Sequence, residues 1–288
     1  MRILIFGTTG WIGSKLTKLL KRNHLVVSKV RLDDFDHLTS YLDSVTKKEK
    51  ITHVLMSAGI TGKPTVDFCE DVKNRDSVIA VNILGTALVG KFCYNNDIHF
   101  TYMGTGCIYE YDKDHTVDGK GYKEEDKPNF TGSFYSYTKI MTENILKEYN
   151  ALILRIRMPL SDDLHPRNFI TKIISYKFIV NIPNSMTNLS ELLPVTVKMM
   201  ETNKVGVFNF TNPGNISHNQ ILDLYIKYID PDFKYTNFSL EDQSKILKAG
   251  RSNNTLDSSK LVALYPEIPH ISKSIVELFK RMQINLKF

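Results

Sequence analysis

The sequence predicts an α/β fold: a doubly wound parallel sheet followed by a smaller C-terminal lobe. Three observations lead to this prediction. The chain begins at once with an apolar run that ends in a glycine-rich turn. Apolar, β-branched runs then alternate with helix-length amphipathic segments, which is typical of a parallel sheet with helices on both faces. Beyond residue 158 the alternation loosens, and proline and asparagine become frequent.

Each element follows from the spacing of its apolar residues, since strands are short apolar runs and helices repeat them every three or four positions. The predicted strands are residues 3–6, 25–30, 52–58, 99–103, 151–156 and 206–211. The predicted helices are residues 13–22, 34–48, 74–95, 134–149, 169–176 and 219–228. We therefore expect a dinucleotide-binding domain over 1–158 and a mainly substrate-binding lobe over 159–288. A segment near 189–212 is expected to return to the first domain.

The composition excludes several classes of protein. Of the 288 residues, 42% are hydrophobic and 24% charged, as in ordinary globular chains. Three cysteines without a CxxC pair predict no disulfide framework, no metal site and a reducing, cytoplasmic location. The net charge of +6 comes from scattered lysines, so no nucleic-acid partner is expected. No apolar run approaches the roughly 18 residues of a membrane span, so no membrane partner is expected.

A glycine-rich turn, GTTGWIG at residues 7–13, joins the first strand to the first helix. Glycine lets the backbone turn sharply and approach a pyrophosphate, whose charge is favourable at a helix N-terminus. In this position the turn predicts a Rossmann-type dinucleotide site rather than a plain tight turn. The predicted cofactor-binding residues of the turn are Gly7, Thr9, Gly10, Trp11, Ile12 and Gly13.

A basic residue, Arg31, follows the second predicted strand. Dinucleotide sites that select NAD carry an acidic residue here for the ribose 2′-hydroxyl, whereas an arginine accommodates the 2′-phosphate of NADP. The sequence therefore favours NADP, used as NADPH. NAD remains an alternative, in which Arg31 is a solvated surface residue and Asp33 or Asp34 holds the ribose.

A tyrosine and a lysine, Tyr135 and Lys139, are four positions apart on a predicted helix and share one face. A lysine ammonium beside a phenol favours the phenolate, so the tyrosine can exchange a proton near neutral pH. Thr105 follows a predicted strand and offers a hydroxyl for a substrate carbonyl. The alternative is that these residues lie on a solvated helix face. In a chain that also carries a dinucleotide-binding turn, the set favours catalysis over that alternative.

Thr105, Tyr135 and Lys139 resemble the catalytic triad of the extended short-chain dehydrogenase/reductases. Ala58-Gly59 after the third strand and Asn82 in the next helix resemble positions that line the cofactor in that superfamily. The resemblance implies that all three contribute to cofactor binding, together with Tyr135 and Lys139.

Longer segments resemble one family within that superfamily, the nucleotide-rhamnose synthase/epimerase-reductases, which is related to dTDP-4-dehydrorhamnose reductase. The segments are GTTGWIG at 7–13, AGITGKPT at 58–65, TGCIY at 105–109, KEEDKPNFTGSFYSYT at 123–138, PRNFITK at 166–172 and RSNNTLDSSKL at 251–261. The resemblance implies a bifunctional 3,5-epimerase/4-reductase that acts on a nucleotide-linked 4-keto-6-deoxy-glucose. Some members carry a 4,6-dehydratase domain ahead of this one, so the resemblance implies an upstream dehydratase on a separate protein.

The resemblance also implies an acid and a base for epimerisation. Cys107 occupies the position of a catalytic cysteine in GDP-fucose synthase, two residues after Thr105. That enzyme pairs the cysteine with a histidine, where the nearest match here is Lys172. His165 lies nearby but outside the matched segment. We therefore expect Cys107 and Lys172 to exchange protons at C5 and C3; the alternatives are an inert cysteine and a solvated lysine.

Two further residues are expected to bind the nucleotide sugar. Arg251 could clamp the diphosphate, or form a surface salt bridge. Asn168 could contact the diphosphate or the sugar, or cap the helix that follows it. We interpret Cys69, Cys93 and the Trp11 side chain as structural. A homodimer through two long helices is a further expectation that no single residue establishes.

Three other functions remain open at this stage. The chain could be a reductase without epimerase activity. Alternatively, it could bind a guanine nucleotide sugar, as GDP-fucose synthase does. It could also be a non-catalytic, NADP-binding regulatory subunit, as the β subunit of methionine adenosyltransferase is. The intact set of Thr105, Cys107, Tyr135 and Lys139 argues against the last alternative.

Overall fold

The computed structural model describes residues 1–20, 24–62 and 65–286. The strands are β1 (Ile3–Phe6), β2 (Leu25–Val27), β3 (His53–Met56), β4 (His99–Thr105), β5 (Leu152–Ile156), β6 (Pro159–Leu160), β7 (Phe178–Ile179), β8 (Pro183–Asn184), β9 (Thr187–Asn188), β10 (Gly206–Asn209), β11 (Ile216–Ser217) and β12 (Thr236–Asn237). The α-helices are α1 (Trp11–Leu19), α2 (Phe35–Glu49), α3 (Val72–Ile79), α4 (Thr86–Asn95), α5 (Phe134–Lys147), α6 (Phe169–Ile174), α7 (Leu189–Glu201), α8 (His218–Tyr228), α9 (Leu240–Ile246), α10 (Ser259–Leu264) and α11 (Ile271–Leu286). A 3₁₀ helix (Val66–Glu70) precedes α3, and a π-helical turn (Ala80–Gly85) joins α3 to α4.

A six-stranded sheet with the order β10-β5-β4-β3-β1-β2 confirms the predicted α/β fold. The ladders joining β2, β1, β3 and β4 are parallel. Strands β1 and β3 are buried at every position, because helices cover both faces of the sheet. Glycine-rich and polar segments follow the carboxyl ends of these strands, where parallel sheets bind ligands.

The ends of several elements differ from the prediction. Strand β2 ends at Val27 rather than at residue 30, and the Ser28 hydroxyl there accepts from the Val30 N–H instead of a strand pairing. Strand β10 ends at Asn209, because the Thr211 N–H turns back to the Asn209 carbonyl. Residues 21 and 22, the last two of the first predicted helix, and residues 63 and 64 of the AGITGKPT segment lie outside the described residues.

The chain forms two compact units. The first comprises Met1–Ile108, Phe130–Arg155 and Leu193–Phe208, and it holds most of the six-stranded sheet. Its core is apolar and includes Leu4, Val54, Phe100 and Ile153. The second comprises Tyr109–Asn129, Ile156–Leu192 and Asn209–Phe288.

The second unit is built from helices and short two-stranded ladders. The described ladders pair β11 with β8, β12 with β7 and β6 with β9. Its apolar core includes residues of α6, α8 and α11. Tyr109–Asn129 belongs to this unit, although the sequence analysis places it in 1–158. The physical reason is a backbone pairing, in which Tyr122 donates to the Thr255 carbonyl and accepts from the Asp257 N–H.

The helical segment Val72–Asn95 is long and apolar enough, by length and composition, to cross a membrane. It is the one such helix among the described residues, whereas the sequence analysis found no candidate. Val78, Val89 and Cys93 of this segment are buried. Because core helices of soluble proteins also meet this criterion, we interpret the segment as a helix covering the sheet.

Candidate active site

The glycine-rich turn forms a cradle with no space for side chains. Gly7 has a φ of +85°, and a Cβ there would lie 2.5 Å from the Ala58 nitrogen. A Cβ on Gly13 would lie 2.1 Å from the Gly7 carbonyl oxygen and 2.6 Å from the Ser57 hydroxyl. Glycine is therefore required at both positions. The turn brings the backbone close to the start of α1, as a pyrophosphate site requires.

The N-terminus of α1 suits an anion. The N-cap residue is Gly10, which has no side chain to cap the helix. The first turn of α1, all of which is described, holds no acidic side chain, and Lys18 lies in the last turn. The helix dipole and the amide groups of that turn therefore favour a negative charge at this end. The residues present fit the diphosphate of a nicotinamide dinucleotide, and Gly7, Gly10 and Gly13 would hold it.

Arg31 is exposed and forms a two-pronged ion pair with Asp33. Its Nε donates to Asp33 Oδ1 over 2.9 Å, and its terminal nitrogen lies 2.6 Å from Oδ2. This hydrogen bond is the main cause that raises the pKa of Arg31 and lowers that of Asp33. Because water and salt screen an exposed ion pair, Arg31 can turn to a phosphate at little cost. The Asp33 carboxylate could equally accept a ribose hydroxyl, so this pair fits either cofactor.

Asn82 ties the loop after β3 to helix α5. Its amide oxygen accepts from the Ile60 N–H over 2.8 Å, and its amide nitrogen donates to the Ile60 carbonyl and to Thr138 Oγ1. The residue lies in the π-helical turn, a feature often found at functional sites. Asn82 therefore positions the Ala58-Gly59 segment, and direct contact of these three residues with a cofactor stays a prediction.

Thr105 and Cys107 lie at the carboxyl end of β4, against the N-terminus of α5. The Cys107 N–H donates to Thr105 Oγ1 over 3.1 Å, and the Cys107 carbonyl accepts from the Ser136 hydroxyl over 2.6 Å. Thr105 is buried and Cys107 is half-buried. Ser136 directly follows Tyr135 in α5. The structure thus brings the predicted strand-end residues next to the helix that carries Tyr135 and Lys139.

Lys139 is buried one turn after Tyr135. Its Nζ lies 4.3 Å from the centre of the Tyr102 ring in β4. Burial lowers the pKa of Lys139 to about 7, against the opposing effects of Glu143 and Cys107. Burial raises the pKa of Tyr102 far above its usual value, and the proximity of Tyr135 adds to this. Lys139 can therefore gain or lose its charge near neutral pH, whereas Tyr102 stays a neutral ring.

A buried ion pair supports this part of α5. Both carboxylate oxygens of Glu143 accept from Arg155 in β5, over 3.0 and 2.6 Å, and Lys147 lies 2.9 Å from the same carboxylate. Burial alone would raise the pKa of Glu143, but Arg155 and Lys147 outweigh it, so the pKa is lowered. Glu143 therefore keeps a negative charge one turn after Lys139.

The other predicted site residues lie in the second unit. Asn168 caps α6: its Oδ1 accepts from the Ile170 N–H, and its amide nitrogen donates to the Ser161 and Asp163 carbonyls. It therefore has the capping role that the sequence also allowed, and substrate contact stays a prediction. Lys172 is half-buried in the last turn of α6.

Two other basic residues of the second unit differ in exposure. Arg251 is half-buried and donates to the Ala249 carbonyl over 2.7 Å. His165 is exposed, and its Nδ1 accepts from the Arg167 N–H. The proposed roles of Lys172 and Arg251 stay predictions.

Helix α5 is held in place by residues outside the predicted set. Ser133 caps α5, and Glu70 accepts from the Phe134 N–H over 2.7 Å. The capping pattern before a predicted helix could have indicated Ser133. No sequence signal links Glu70 or Ser136 to their partners, because a backbone group far away in the chain supplies the other half of each hydrogen bond.

Relatives with known names match most of the chain. A trifunctional UDP-glucose 4,6-dehydratase/UDP-4-keto-6-deoxy-D-glucose 3,5-epimerase/UDP-4-keto-L-rhamnose-reductase of Arabidopsis thaliana is 49% identical over 282 residues. The match covers 96% of this chain but 42% of that protein, so the chain spans less than half of its length. A bifunctional dTDP-4-dehydrorhamnose 3,5-epimerase/dTDP-4-dehydrorhamnose reductase of the same plant is 47% identical, over 95% of this chain and 91% of the relative.

The fold is also similar to a solved structure. The L780 UDP-rhamnose synthase from Acanthamoeba polyphaga mimivirus superimposes with a TM-score of 0.91 and 40% identity, covering 97% of this chain and 98% of that one. These similarities agree with the family resemblance of the sequence motifs. The sequence matches the RmlD substrate binding domain over residues 1–283, and the chain therefore belongs to the RmlD substrate-binding family.

Proposed function

We propose that this chain is a bifunctional 3,5-epimerase/4-reductase. Its substrate would be UDP-4-keto-6-deoxy-D-glucose or the dTDP analogue, its reductant NADPH, and its product the nucleotide-linked L-rhamnose. One observation carries the proposal: the hydrogen bond between Ser136 and Cys107 joins a candidate epimerase group to the helix of the candidate reductase pair. The activities named for the relatives support the same chemistry.

The epimerase half uses the acidity of hydrogens beside a carbonyl. The Cys107 thiolate removes the proton at C5 or C3, so the C–H bond breaks, an S–H bond forms and the electron pair moves to O4 as an enolate. The Thr105 hydroxyl donates to O4 and stabilises this charge. Lys172 returns a proton to the opposite face, and the carbonyl forms again with the centre inverted. Both groups then exchange protons with water.

The reductase half acts on the inverted ketone. When bound, NADPH supplies the hydride that adds to C4. Tyr135 gives its phenolic proton to O4 while Thr105 holds the same oxygen. The Lys139 ammonium binds the nicotinamide ribose and favours the phenolate that remains. Since the pKa of Lys139 is lowered to about 7, the lysine can pass on a proton when the tyrosine is recharged.

The substrate would be produced by a 4,6-dehydratase, which forms the 4-keto-6-deoxy sugar from the nucleotide-glucose. The name of the trifunctional relative includes this activity. A uracil and a thymine pocket differ by contact with one methyl group, worth about 1 kcal/mol, so we propose both nucleotides as substrates.

The test is turnover by the purified chain in deuterium oxide with UDP-4-keto-6-deoxyglucose and NADPH. Nicotinamide absorbance reports reduction, and NMR locates deuterium in the product. We expect cofactor oxidation and an L-rhamnose product with deuterium at both C3 and C5. If NADPH is oxidised only when already epimerised substrate is supplied, the chain is a reductase without epimerase activity. Cofactor binding without either reaction would favour a non-catalytic subunit.

A further inference from the structure

The backbone of Cys107 is held on both sides by hydroxyl groups. Its N–H donates to Thr105 Oγ1 over 3.1 Å, and its carbonyl accepts from the Ser136 hydroxyl over 2.6 Å. These contacts fix the two peptide groups that flank the Cys107 α-carbon. The α-carbon from which the thiol projects is therefore held in place. Thr105 ends β4, and Ser136 lies in α5 beside Tyr135, so both belong to the elements that carry the proposed reductase residues.

The direction of the Ser136 hydrogen bond is also fixed. Ser133 Oγ accepts from the Ser136 N–H over 3.1 Å and donates to Ser136 Oγ over 2.9 Å. Since Ser136 Oγ receives the Ser133 proton, its own proton is directed to the Cys107 carbonyl. Both serines are buried, with 4% of Ser133 and 1% of Ser136 exposed, so water does not compete for these groups.

The start of α5 is held by a second side chain. Glu70 accepts from the Phe134 N–H over 2.7 Å, and the Arg75 guanidinium lies 4.8 Å from the centre of the Phe134 ring. The first turn of the helix, which carries Tyr135, is thus anchored independently of Ser136. Loss of the Ser136 hydroxyl would therefore release the carbonyl group of Cys107 and leave the tyrosine in place.

We propose that Ser136 is a positioning residue for epimerisation, which holds Cys107 in the same frame as Tyr135 so that both half-reactions act on one bound sugar. The inference rests on the proposed function, because it assigns proton removal to Cys107. A sugar with its C5 hydrogen at the thiol and its O4 at Tyr135 needs both groups within a fraction of an ångström of their working positions. A displacement of about 1 Å costs about a hundredfold in rate.

The test compares Ser136→Ala with wild type in two assays. The first follows deuterium exchange at C3 and C5 of UDP-4-keto-6-deoxyglucose without NADPH. The second follows reduction of already epimerised UDP-4-keto-L-rhamnose. We expect the exchange rate constant to fall about tenfold to hundredfold with KM nearly unchanged, and reduction to change less than about threefold. Ser136→Thr keeps the hydroxyl and should restore exchange, whereas Ser136→Cys, a weaker donor, should give an intermediate rate.

Thr142→Val is the matched control on the same helix. Thr142 is also buried and donates its hydroxyl to a backbone carbonyl of a neighbouring segment, that of Asn82, over 2.7 Å. Ser136→Ala removes a buried hydroxyl that donates to Cys107 and accepts from Ser133. Thr142→Val removes one that contacts the Asn82 and Thr138 carbonyls, so each variant should lower the melting temperature by a few degrees. The ratio of exchange to reduction should change for Ser136→Ala and stay constant for Thr142→Val.

Three results would overturn the inference, and a fourth would refute the proposed function instead. If Ser136→Ala loses exchange and reduction equally, Ser136 is merely structural and the inference is overturned. Exchange at the wild-type rate in Ser136→Ala would also overturn it. If Ser136→Ala does not fold, Ser136→Cys and Ser136→Thr are compared instead. Equal exchange rates in these two variants would overturn the inference. Exchange that persists in Cys107→Ser would instead refute the assignment of Cys107 in the proposed function.

Discussion

The two ends of strand β4 carry polar residues with opposite tasks. At the amino end, His99 Nε2 binds the Lys204 carbonyl over 2.7 Å, and His53 of neighbouring β3 binds the Met200 carbonyl over 3.2 Å. At the carboxyl end, the Thr105 hydroxyl oxygen accepts from the Cys107 N–H, and we propose that its proton is donated to a ligand oxygen. Polar groups whose hydrogen bonds are used within the protein stabilise it, whereas groups with unused capacity can act on a substrate.

The two ends also differ in whether their buried basic residues can change charge near neutral pH. Burial, with the neighbouring His99, lowers the pKa of His53 to about 4, so the pair is neutral at pH 7. At the other end, the pKa of Lys139 is lowered to about 7, so its charge can change under working conditions. The same physical cause, desolvation, produces a fixed structural group at one end and a titrating group at the other.

The largest effect is expected from Tyr135→Phe at the catalytic end. Removal of the phenolic proton donor should lower the rate of reduction about 10²- to 10⁴-fold, because general acid catalysis contributes on that scale. Exchange at C3 and C5 should continue, since Tyr135 takes no part in proton removal from carbon. Cofactor oxidation and deuterium incorporation, measured side by side, check both halves. Reduction near the wild-type rate would contradict the assignment.

The histidine pair at the opposite end should affect stability and not chemistry. The unfolded chain binds a proton on His53 near pH 6.5, but the folded chain does so only near pH 4. Stability should therefore be full above pH 6.5 and fall as the pH drops towards 4, by an amount on the order of 3 kcal/mol. In His53→Gln this loss should be smaller. Denaturant unfolding between pH 4 and 7.5 measures it.

Exposed His37 in α2 offers a control for the histidine experiment, since 64% of its side chain is accessible. His37→Gln should leave the pH dependence of unfolding close to that of wild type. Equal pH profiles for His53→Gln and wild type would show that the paired histidines are not the acid-sensitive element.

Gly13→Ala probes the crowding at the carboxyl ends of β1 and β3. A methyl group 2.1 Å from the Gly7 carbonyl must displace backbone, which costs about 1–3 kcal/mol. Distortion of the cradle should also raise KM for NADPH about tenfold or more. Gly59→Ala is the stability control, because its Cβ would meet Asn82 Oδ1 at an ordinary 3.4 Å. Equal melting temperatures for the two variants would contradict this account of the cradle.

The smallest effect is expected at the exposed pair of Arg31 and Asp33. Arg31→Ala should raise KM for NADPH by about tenfold or less and leave KM for NADH nearly unchanged, because only NADPH carries the 2′-phosphate. Asp33→Asn should instead raise KM for NADH and leave KM for NADPH nearly unchanged. Steady-state kinetics with both cofactors give the ratio, and an equal change for both would exclude Arg31 from phosphate recognition.

The sheet and the cradle could be predicted because their signals are local. A strand, a glycine-rich turn and a helix occupy adjacent residues, so apolar spacing and glycine chemistry identify them. Helical spacing identified Tyr135 and Lys139, and the position after a predicted strand identified Thr105. The family resemblance added Cys107, whose segment the structure places against the helix of Tyr135.

The supports of the site could not be predicted, because they depend on pairings across the chain. Ser136 binds a carbonyl 29 positions away, and Tyr122 pairs with the segment at 255–257. The π-helical turn at Asn82 also has no local signature; its carbonyl is held by Thr142 from another helix. Periodicity reports which face of a helix is buried but not which backbone group a hydroxyl meets there.

In the proposed function, one site performs two reactions: Cys107 removes protons from carbon, and Tyr135 donates a proton during reduction. The most direct measurement is made on Cys107→Ser, with exchange at C3 and C5 and reduction of UDP-4-keto-L-rhamnose followed in the same preparation. We expect exchange to be lost while reduction stays within about threefold of wild type, because Ser136 can still hold the backbone of residue 107. Exchange at the wild-type rate would contradict this expectation.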